Sequence, residues 1–334
     1  MTRERLTDID LAKGLAIFLV VVGHVVAREP PLGNEWYVAL KFLIYEFHMP
    51  FFMFLSGVIF AVTYDRLEGL HAYGAYIRAR ALRLAPGFIL FSLIIWAGKV
   101  VGGRFLHVDN AQSADLDSLL RIFTQPGSSV ATSLWYIYVL LELYLAFPLL
   151  MALVRGRVLA LLALTAALHL LPLFAKLPDV LAIDLFCEYS FYFALGLVFI
   201  RYYKPAVAAI SRTPLLFYGL FALSFLSSLV LPYYLAKTLI GTLSMPALYA
   251  FANSFRAERD RAVLLTLGEY TFSIYLMNTL VIGFTKGVLL KIAPWDHANF
   301  VLFFPALLAA GVIAPILLHR YVLSRVPYLG RVTK

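Results

Sequence analysis

Two histidines in the apolar N-terminal part of the chain are the residues best suited to chemistry. His24 lies near the far end of one hydrophobic stretch, eleven residues after Lys13, and His48 lies in the next stretch, two residues before Pro50. Ionisable side chains are costly in hydrocarbon and rarely face lipid, so both histidines are expected to point into a polar cavity. The unperturbed pKa of an imidazole, about 6.5, suits proton transfer near neutral pH. The competing interpretation is that each histidine only hydrogen-bonds a neighbouring helix.

Helical spacing places these residues on shared faces. At 100° per residue, Lys13 and His24 lie on one face of the first helix, roughly 16 Å apart along its axis. In the second helix, Pro50 is expected to bend the backbone beside His48 and to open room for a ligand. One face of this helix combines four polar residues: Lys41, Tyr45, His48 and Ser56.

Three arginines, Arg78, Arg80 and Arg83, approach the third apolar stretch at its expected cytoplasmic boundary. Arg80 and Arg83 share a helix face. Because guanidinium groups bind phosphate oxygens bidentately, a phosphate-rich cytosolic co-substrate is a natural partner for the three arginines. The alternative is ordinary anchoring of the helix at the membrane surface by basic side chains.

Carboxylates in two later helices are further candidates. Glu142 shares a face of helix four with Trp135 and Tyr138, and its position near mid-membrane requires a partner. A histidine or an arginine could be that partner, and the pair would orient an imidazole. Asp184 and Glu188, four residues apart in helix six, could bind sugar hydroxyls or a cation, and hydrogen bonding between helices is an equally open interpretation.

Polar residues of helix nine are weaker candidates. They are Asn278, Tyr275 and Ser273, for which packing and hydrogen bonding between helices is the main interpretation, and Asn278 is the candidate contact to the substrate. The remaining histidines lie in expected loops or near membrane interfaces, where no special role is assigned to them.

Composition indicates the elements that must position these residues. The chain has 334 residues, of which 62% are hydrophobic and 14% charged, too little polar surface for a soluble globule of this size. An all-α, polytopic membrane protein is predicted, with a single membrane domain over residues 1–334. Ten runs are long enough to cross the bilayer: 11–28, 38–62, 84–101, 132–153, 158–175, 181–200, 214–231, 234–252, 263–285 and 299–319.

The basic residues support this topology. With a cytoplasmic N-terminus, 19 of the 28 Lys and Arg residues fall on the inner side, so both termini are predicted to be cytoplasmic, and a bacterial inner membrane is the expected location. The formal net charge of +9 then follows from topology rather than from nucleic-acid binding. Asp and Lys residues early in the first run argue against a cleaved signal peptide.

Several site classes are excluded or disfavoured. Cys187 is the only cysteine, so an intrachain disulfide is impossible, and no metal is expected. The sequence contains no Gly-rich phosphate loop and no His-Glu-x-x-His or Gly-x-Ser-x-Gly motif.

These segments together resemble the acyltransferase-3 family of membrane O-acyltransferases, and most closely its stand-alone sugar O-acetyltransferases. The family's first helix has a basic residue, ten intervening positions and a histidine, which match Lys13 and His24. At Asn278 the family often has a histidine. The other motifs that carry the resemblance are residues 8–14, Phe47 to Gly57, Arg78 to Pro86, Leu134 to Tyr136, and Gly268 to Leu276.

The resemblance implies a reaction. Acyl-CoA, with acetyl-CoA as the expected form, docks from the cytosol with its phosphates at Lys13 and the three arginines. A carbohydrate or lipid-linked glycan enters from the other side. His24 acts as general base on its hydroxyl, directly or after an acyl-imidazole stage, with Glu142 or His48 orienting it or stabilising charge. The expected substrate contacts are Trp135, Tyr138, Asp184, Glu188 and Asn278.

Two other functions remain open from the sequence. A proton-coupled transporter of a sugar or lipid could use the same intramembrane histidines and glutamates as a proton relay. An assembly subunit without a site of its own would leave the histidines and the arginine cluster unexplained. Transporters often have two similar halves, and the sequence shows no such correspondence. The acceptor, the acyl length and the oligomeric state are not fixed by these patterns.

Overall fold

The computed structural model describes residues 6–26, 30–64, 67, 69–102, 105 and 115–333. The basic residues Arg3, Arg5, Arg28, Arg66, Arg104 and Lys334, which enter the charge count, lie outside the described residues. The helices of the described residues are α1 (Thr7–His24), α2 (Glu35–Tyr45), α3 (His48–Thr63), α4 (Gly69–Gly102), α5 (Leu116–Thr124), α6 (Trp135–Leu153), α7 (Val158–Leu170), α8 (Ile183–Arg201), α9 (Tyr203–Arg212), α10 (Pro214–Ser224), α11 (Tyr233–Ser254), α12 (Glu258–Glu269), α13 (Thr271–Leu289), α14 (His297–Tyr321) and α15 (Pro327–Val332).

The predicted architecture, an all-helical polytopic membrane protein, is confirmed. Among the described residues, seven helices are long and apolar enough to cross a membrane, and an eighth span results if the pair Tyr203–Arg212 and Pro214–Leu229, bent by 86°, counts as one. The apolar helix Val158–Leu173 is shorter than these spans. The first helix carries Asp8, Asp10 and Lys13, which lower its apolar character. The number ten and the cytoplasmic termini therefore stay predictions.

In three of the predicted runs the helix boundaries differ from those expected, although 38–62 lies within one membrane span, Glu35–Thr63. The helix expected at 84–101 already begins at Gly69, so the three arginines lie within it. The helix expected at 263–285 is divided at Tyr270 into α12 and α13. The helix expected at 38–62 ends at Tyr45 and resumes at His48.

Pro50 explains this last break. A proline ring clashes with the carbonyl group four residues earlier, which here belongs to Glu46, and it has no N–H to donate. Both effects are tolerated in the first turn of a helix, so α3 begins two residues before Pro50. The interruption at Glu46 and Phe47 thus lies beside His48, as predicted, and the imidazole projects from the first residue of a new helix.

Helices α1 and α3 form the centre of the bundle. The core of α1, from Leu11 to Val22, is almost entirely buried, and so is α3 from His48 to Val58. Helix α1 packs against α3, α11, α12 and α13, and α3 packs against α8. A ligand that reaches His24 or His48 must therefore pass between helices.

Glycines allow the closest of these contacts. A Cβ atom at Gly57 would lie 1.9 Å from the carbonyl oxygen of Phe193, and one at Gly196 would lie 2.3 Å from that of Phe54. Neither contact is possible for a residue with a side chain, so the reciprocal glycines bring the backbones of α3 and α8 together. This contact fixes α3, and with it His48, against the bundle.

Candidate active site

Helix α1 ends where Tyr37 replaces one of its backbone hydrogen bonds. The Tyr37 hydroxyl donates to the Val22 carbonyl oxygen at 2.8 Å and accepts from the Val26 N–H at 3.1 Å, so it stands between two groups that a continuing helix would join. Lys41 Nζ donates to the Val26 carbonyl oxygen at 2.6 Å. One face of α2 thus caps α1 just beyond His24.

Tyr45 completes this cap and links the two histidines. Its hydroxyl donates to the Gly23 carbonyl oxygen at 3.0 Å, and its ring stacks on the His48 imidazole with the centroids 4.9 Å apart. A Cβ atom at Gly23 would lie 2.7 Å from the Tyr45 ring, so only glycine leaves room for this contact. Of the four residues predicted on one face, Lys41, Tyr45 and His48 lie together across the break in the helix, whereas Ser56 hydrogen-bonds Tyr136 on α6.

His24 is held by Asn278, which lies on α13. The His24 Nδ1 atom is 2.8 Å from Asn278 Oδ1, and Asn278 Nδ2 donates to the carbonyl oxygens of Ile274 at 2.8 Å and Tyr275 at 2.9 Å. Carbonyl oxygens only accept, so the NH₂ group must face them and the amide oxygen must face His24. His24 Nδ1 therefore carries a proton, and in the neutral imidazole Nε2 has the free lone pair.

The tautomer of His48 follows from its hydrogen-bond partner in the same way. Its Nδ1 atom lies 2.8 Å from the Ile44 carbonyl oxygen, an acceptor, so Nδ1 carries the proton and Nε2 is the acceptor. His48 interacts electrostatically with His24 and with Lys237, and its side chain is buried. Two imidazoles with their Nε2 atoms unprotonated in the neutral form are thus brought together at the centre of the bundle.

A second polar cluster lies beside this centre. Lys237 Nζ on α11 is 2.9 Å from Glu188 Oε1 on α8. The buried His169 on α7 connects the same two helices, with Nδ1 2.6 Å from the Glu188 carbonyl oxygen and Nε2 2.8 Å from Thr238 Oγ1. The Tyr234 hydroxyl donates to the His169 carbonyl oxygen at 2.7 Å. The ends of three helices are therefore joined by hydrogen bonds and one ion pair.

Glu142 does not pair with a histidine or an arginine as predicted. Its buried Oε2 atom has no hydrogen-bond partner among the described residues, and neither has Oδ1 of Asp184, with which it interacts electrostatically. The orienting contact to His24 comes from Asn278 instead. An amide reaches the imidazole from α13, whereas Glu142 lies on α6 near the start of α8.

The sequence model of the acyltransferase-3 family, described as an acyltransferase domain, matches residues 6–320 of this chain. The chain belongs to the acyltransferase-3 family. The match includes α1, α3, α8, α11 and α13, so every residue of the central site lies within it. This finding confirms the resemblance inferred from the sequence motifs.

Two relatives are similar over part of their length. Nodulation protein NolL of Sinorhizobium fredii is 30% identical over 148 residues, which cover 42% of this chain and 37% of NolL. Nodulation protein NolL of Mesorhizobium japonicum is 31% identical over 100 residues, which cover 29% of this chain and 26% of NolL. The chain thus spans well under half the length of the relatives that it matches. No solved structure matches the chain.

The three arginines of α4 in this acyltransferase-3 member differ in their contacts. Arg80 donates to Thr63 Oγ1 at 3.1 Å, and its guanidinium lies about 5 Å from the ring centres of Tyr76 and Tyr144. Arg78 and Arg83 are exposed. Arg80 therefore ties α4 to α3 and α6, whereas the other two arginines are accessible to a ligand.

Lys13, the basic residue of the first-helix motif, is only partly buried. Its Nζ atom lies 3.0 Å from Asp10 Oδ1. Nearby Asp8 accepts hydrogen bonds from the hydroxyls of Tyr203 and Tyr249. The ion pair neutralises Asp10, and the two tyrosine hydroxyls satisfy the carboxylate of Asp8. The predicted phosphate contact of Lys13 remains a prediction.

The aromatic candidates on α6 face different neighbours. Trp135 packs against Tyr189 on α8, with ring centroids 4.9 Å apart. Tyr138 donates to the Phe123 carbonyl oxygen at 3.0 Å, so its hydroxyl anchors α5. The predicted substrate contacts of Trp135, Tyr138 and Asn278 remain predictions, and all hydrogen-bonding groups of the Asn278 amide already have partners within the protein.

Sequence reasoning overlooked His169 and Lys237. Both lie within predicted runs, 158–175 and 234–252, and the rule that marked His24 also applies to them, because ionisable residues within a membrane span need a partner. From the sequence, His169 is expected near an interface with no special role, whereas the structure buries it. Within the described residues, no three side chains of His, Cys, Asp or Glu are grouped so that they could hold a metal ion.

Proposed function

We propose that this acyltransferase-3 member is a membrane O-acyltransferase that moves an acyl group, most simply acetyl, from acyl-CoA to a hydroxyl of a carbohydrate or lipid-linked glycan. The observation that carries this proposal is the fixed tautomer of His24. Asn278 holds the proton on Nδ1, so the Nε2 lone pair of the neutral imidazole is directed away from this partner and is available to accept a proton.

The transfer uses this lone pair as follows. The hydroxyl proton of the acceptor moves to His24 Nε2 while the acceptor oxygen attacks the thioester carbonyl carbon. The C–S bond then breaks, the ester forms, and the imidazolium returns its proton to the CoA thiolate. Throughout, the Nδ1–H bond to Asn278 Oδ1 keeps the ring in place and becomes charge-assisted when the imidazolium forms.

The proposed binding site for the acyl donor consists of exposed basic side chains. Arg78 and Arg83 project from α4 near Thr63, the last residue of α3, where Arg80 is tied down. Guanidinium groups without a rigid protein partner suit the phosphates of acyl-CoA. Lys13 lies on the same helix as His24, eleven residues before it, and is proposed as a further phosphate contact.

The test is acyl transfer by purified protein in liposomes, with radiolabelled acetyl-CoA and a panel of free and lipid-linked glycans. His24→Ala is expected to abolish labelled product and acceptor-dependent CoA release. His71→Ala is the matched control, because His71 is an exposed histidine at the start of α4. Normal transfer by folded His24→Ala protein would show that the base is another group.

The same assay separates the remaining alternatives. A transporter gives no acceptor-dependent CoA release, so glycan flux in the absence of CoA release would overturn the proposal. Release of one equivalent of CoA without acceptor, with label retained on the protein, would indicate an acyl-imidazole stage. Direct general-base catalysis predicts no such burst.

A further inference from the structure

A cavity of about 580 Å³ opens beside the second polar cluster. Its wall combines the chain segment 172–177, which follows α7, with the first turns of α8 and α11. The cavity is lined by Pro172 to Leu177 together with Asp184, Glu188 and Tyr234. Phe174 is 84% exposed at its rim, where an aromatic ring could cover the apolar face of a ligand.

The polar groups of the wall present hydrogen-bond acceptors. The hydroxyl proton of Tyr234 is donated to the His169 carbonyl oxygen, so its oxygen keeps only acceptor capacity towards the cavity. Asp184 lines the wall, and its Oδ1 atom, which is buried, has no hydrogen-bond partner among the described residues. The carboxylate of Glu188 is held by Lys237. Such a wall is complementary to a ligand that donates several O–H groups.

The Glu188–Lys237 pair links the wall of the cavity to His48. Lys237, the ion-pair partner of Glu188, interacts electrostatically with His48. One helical turn before Lys237, the Tyr233 hydroxyl donates to Glu46 Oε1 at 3.1 Å. One turn after it, Gly241 approaches Pro50 so closely that a Cβ atom would lie 2.9 Å from the proline ring. The Glu188–Lys237 pair therefore stands between the cavity and His48.

Carboxylates outnumber cations among the charged residues of the cavity wall and their electrostatic neighbours. Asp179 and Asp184 interact electrostatically with each other, and Glu142 with Asp184, while Glu188 is balanced by Lys237. The lining contributes one further cation, the exposed Lys176. An anionic group on a bound ligand would be repelled here.

We propose that this cavity binds the acceptor of the acyl transfer and that it selects a neutral sugar ring over one bearing a carboxylate. The inference rests on the proposed function. Hydroxyls of the ring donate to Asp184 and Tyr234, and the Glu188–Lys237 pair directs the reacting hydroxyl towards the imidazoles. Free and lipid-linked glycans share this chemistry, so the sugar ring alone is the recognised group.

The experiment compares methyl glycosides that differ only at C6, namely the glucoside, galactoside and mannoside against the corresponding uronides. Saturation-transfer NMR with purified protein, without acyl-CoA, measures binding directly. The wild-type protein is expected to bind at least one neutral glycoside about tenfold more tightly than its uronide. Asp184→Asn is expected to reduce this preference to about twofold, because it removes a charge without changing the shape of the side chain.

Asp117→Asn is the control, because Asp117 is a carboxylate in an exposed ion pair with Arg121 on α5, outside the cavity. In the transfer assay, Asp184→Asn should change the KM for the acceptor and leave the KM for acetyl-CoA as in the wild type. The inference would be overturned if no glycoside bound, or if each neutral glycoside bound as tightly as its uronide. It would also be overturned if Asp184→Asn and Asp117→Asn showed the same preference for the neutral glycoside. Neutral-sugar binding without acyl transfer would instead refute the proposed function and leave the cavity assigned.

Discussion

The His24 imidazole on the first helix and the Asn278 amide on the thirteenth meet at 2.8 Å across 254 positions of sequence. The amide is itself fixed by two carbonyl oxygens of its own helix, so it has no freedom to present its NH₂ group to the imidazole. The protonation pattern of His24 is thereby decided by α13, and α1 supplies only the position of the ring.

This relationship predicts the effect of Asn278→Ala. Without the amide oxygen, the neutral imidazole loses its preferred tautomer, and the imidazolium loses an acceptor. The rate constant kcat is expected to fall by about tenfold to a hundredfold, whereas the KM values for donor and acceptor change little. Steady-state kinetics of acetyl transfer in detergent provide the measurement.

Asn278→His and Thr279→Ala complete this test. The histidine that the family often has at this position can accept from His24 Nδ1 through a ring nitrogen, so it should recover part of the lost kcat. Thr279 is the adjacent residue, and its hydroxyl lies 3.1 Å from Ser133 Oγ, so its loss should leave kcat unchanged. A kcat for Asn278→Ala within twofold of the wild type would contradict the orienting role.

The ion pair between Glu188 and Lys237 predicts a rescue by charge reversal. The two side chains are only 18% and 20% exposed, so Glu188→Lys or Lys237→Glu alone places like charges in a poorly hydrated site. Each single variant is expected to lose roughly 1–3 kcal/mol of stability. The double variant should recover more than half of that loss in thermal unfolding in detergent. Additive losses would show that the two charges do not interact.

The arginines of α4 predict two different phenotypes. Arg83→Ala removes an exposed cation and should raise the KM for acetyl-CoA severalfold at an unchanged unfolding temperature. Arg80→Ala removes a contact to Thr63 and two aromatic contacts, so it should lower the unfolding temperature. Isothermal titration with CoA and thermal unfolding separate these effects. If the affinity for CoA changed in neither variant, these arginines would not be part of the donor site.

Much of the site could be predicted from local patterns. The eleven-residue interval between Lys13 and His24 and the rarity of histidine in apolar runs identify His24 and His48 as the candidate residues. These signals lie within single helices. Pro50 predicts a bend beside His48, and the structure has its break there, at Glu46 and Phe47, because the proline ring clashes with the carbonyl group four residues earlier.

The partners of these residues could not be predicted in the same way. That Asn278 faces His24 depends on how α13 packs against α1, and no spacing within either helix specifies this. Likewise, Glu142 could be expected to need a partner, but the choice among distant side chains depends on the rotation of α6. His169 was overlooked because a position near the end of a run does not show whether the side chain is buried by neighbouring helices.

Two Gly→Ala substitutions test how the backbone contact between α3 and α8 holds the site together. The added methyl group of Gly57→Ala would lie 1.9 Å from the Phe193 carbonyl oxygen, a backbone atom that moves only if the helices separate. A loss of about 1–3 kcal/mol is expected. Gly74→Ala adds the same methyl group to α4 with nothing within 4 Å, and there the higher helix propensity of alanine should preserve or raise stability by up to about 1 kcal/mol.

Thermal unfolding and size-exclusion chromatography in detergent distinguish the two variants. Because α3 begins with His48, separation of α3 from α8 also displaces this imidazole, so residual folded Gly57→Ala protein should transfer acetyl groups more slowly than its folded fraction predicts. Gly74→Ala should match the wild type in both properties. If Gly57→Ala unfolded at the wild-type temperature and kept full activity, close packing of α3 on α8 would not be what positions His48.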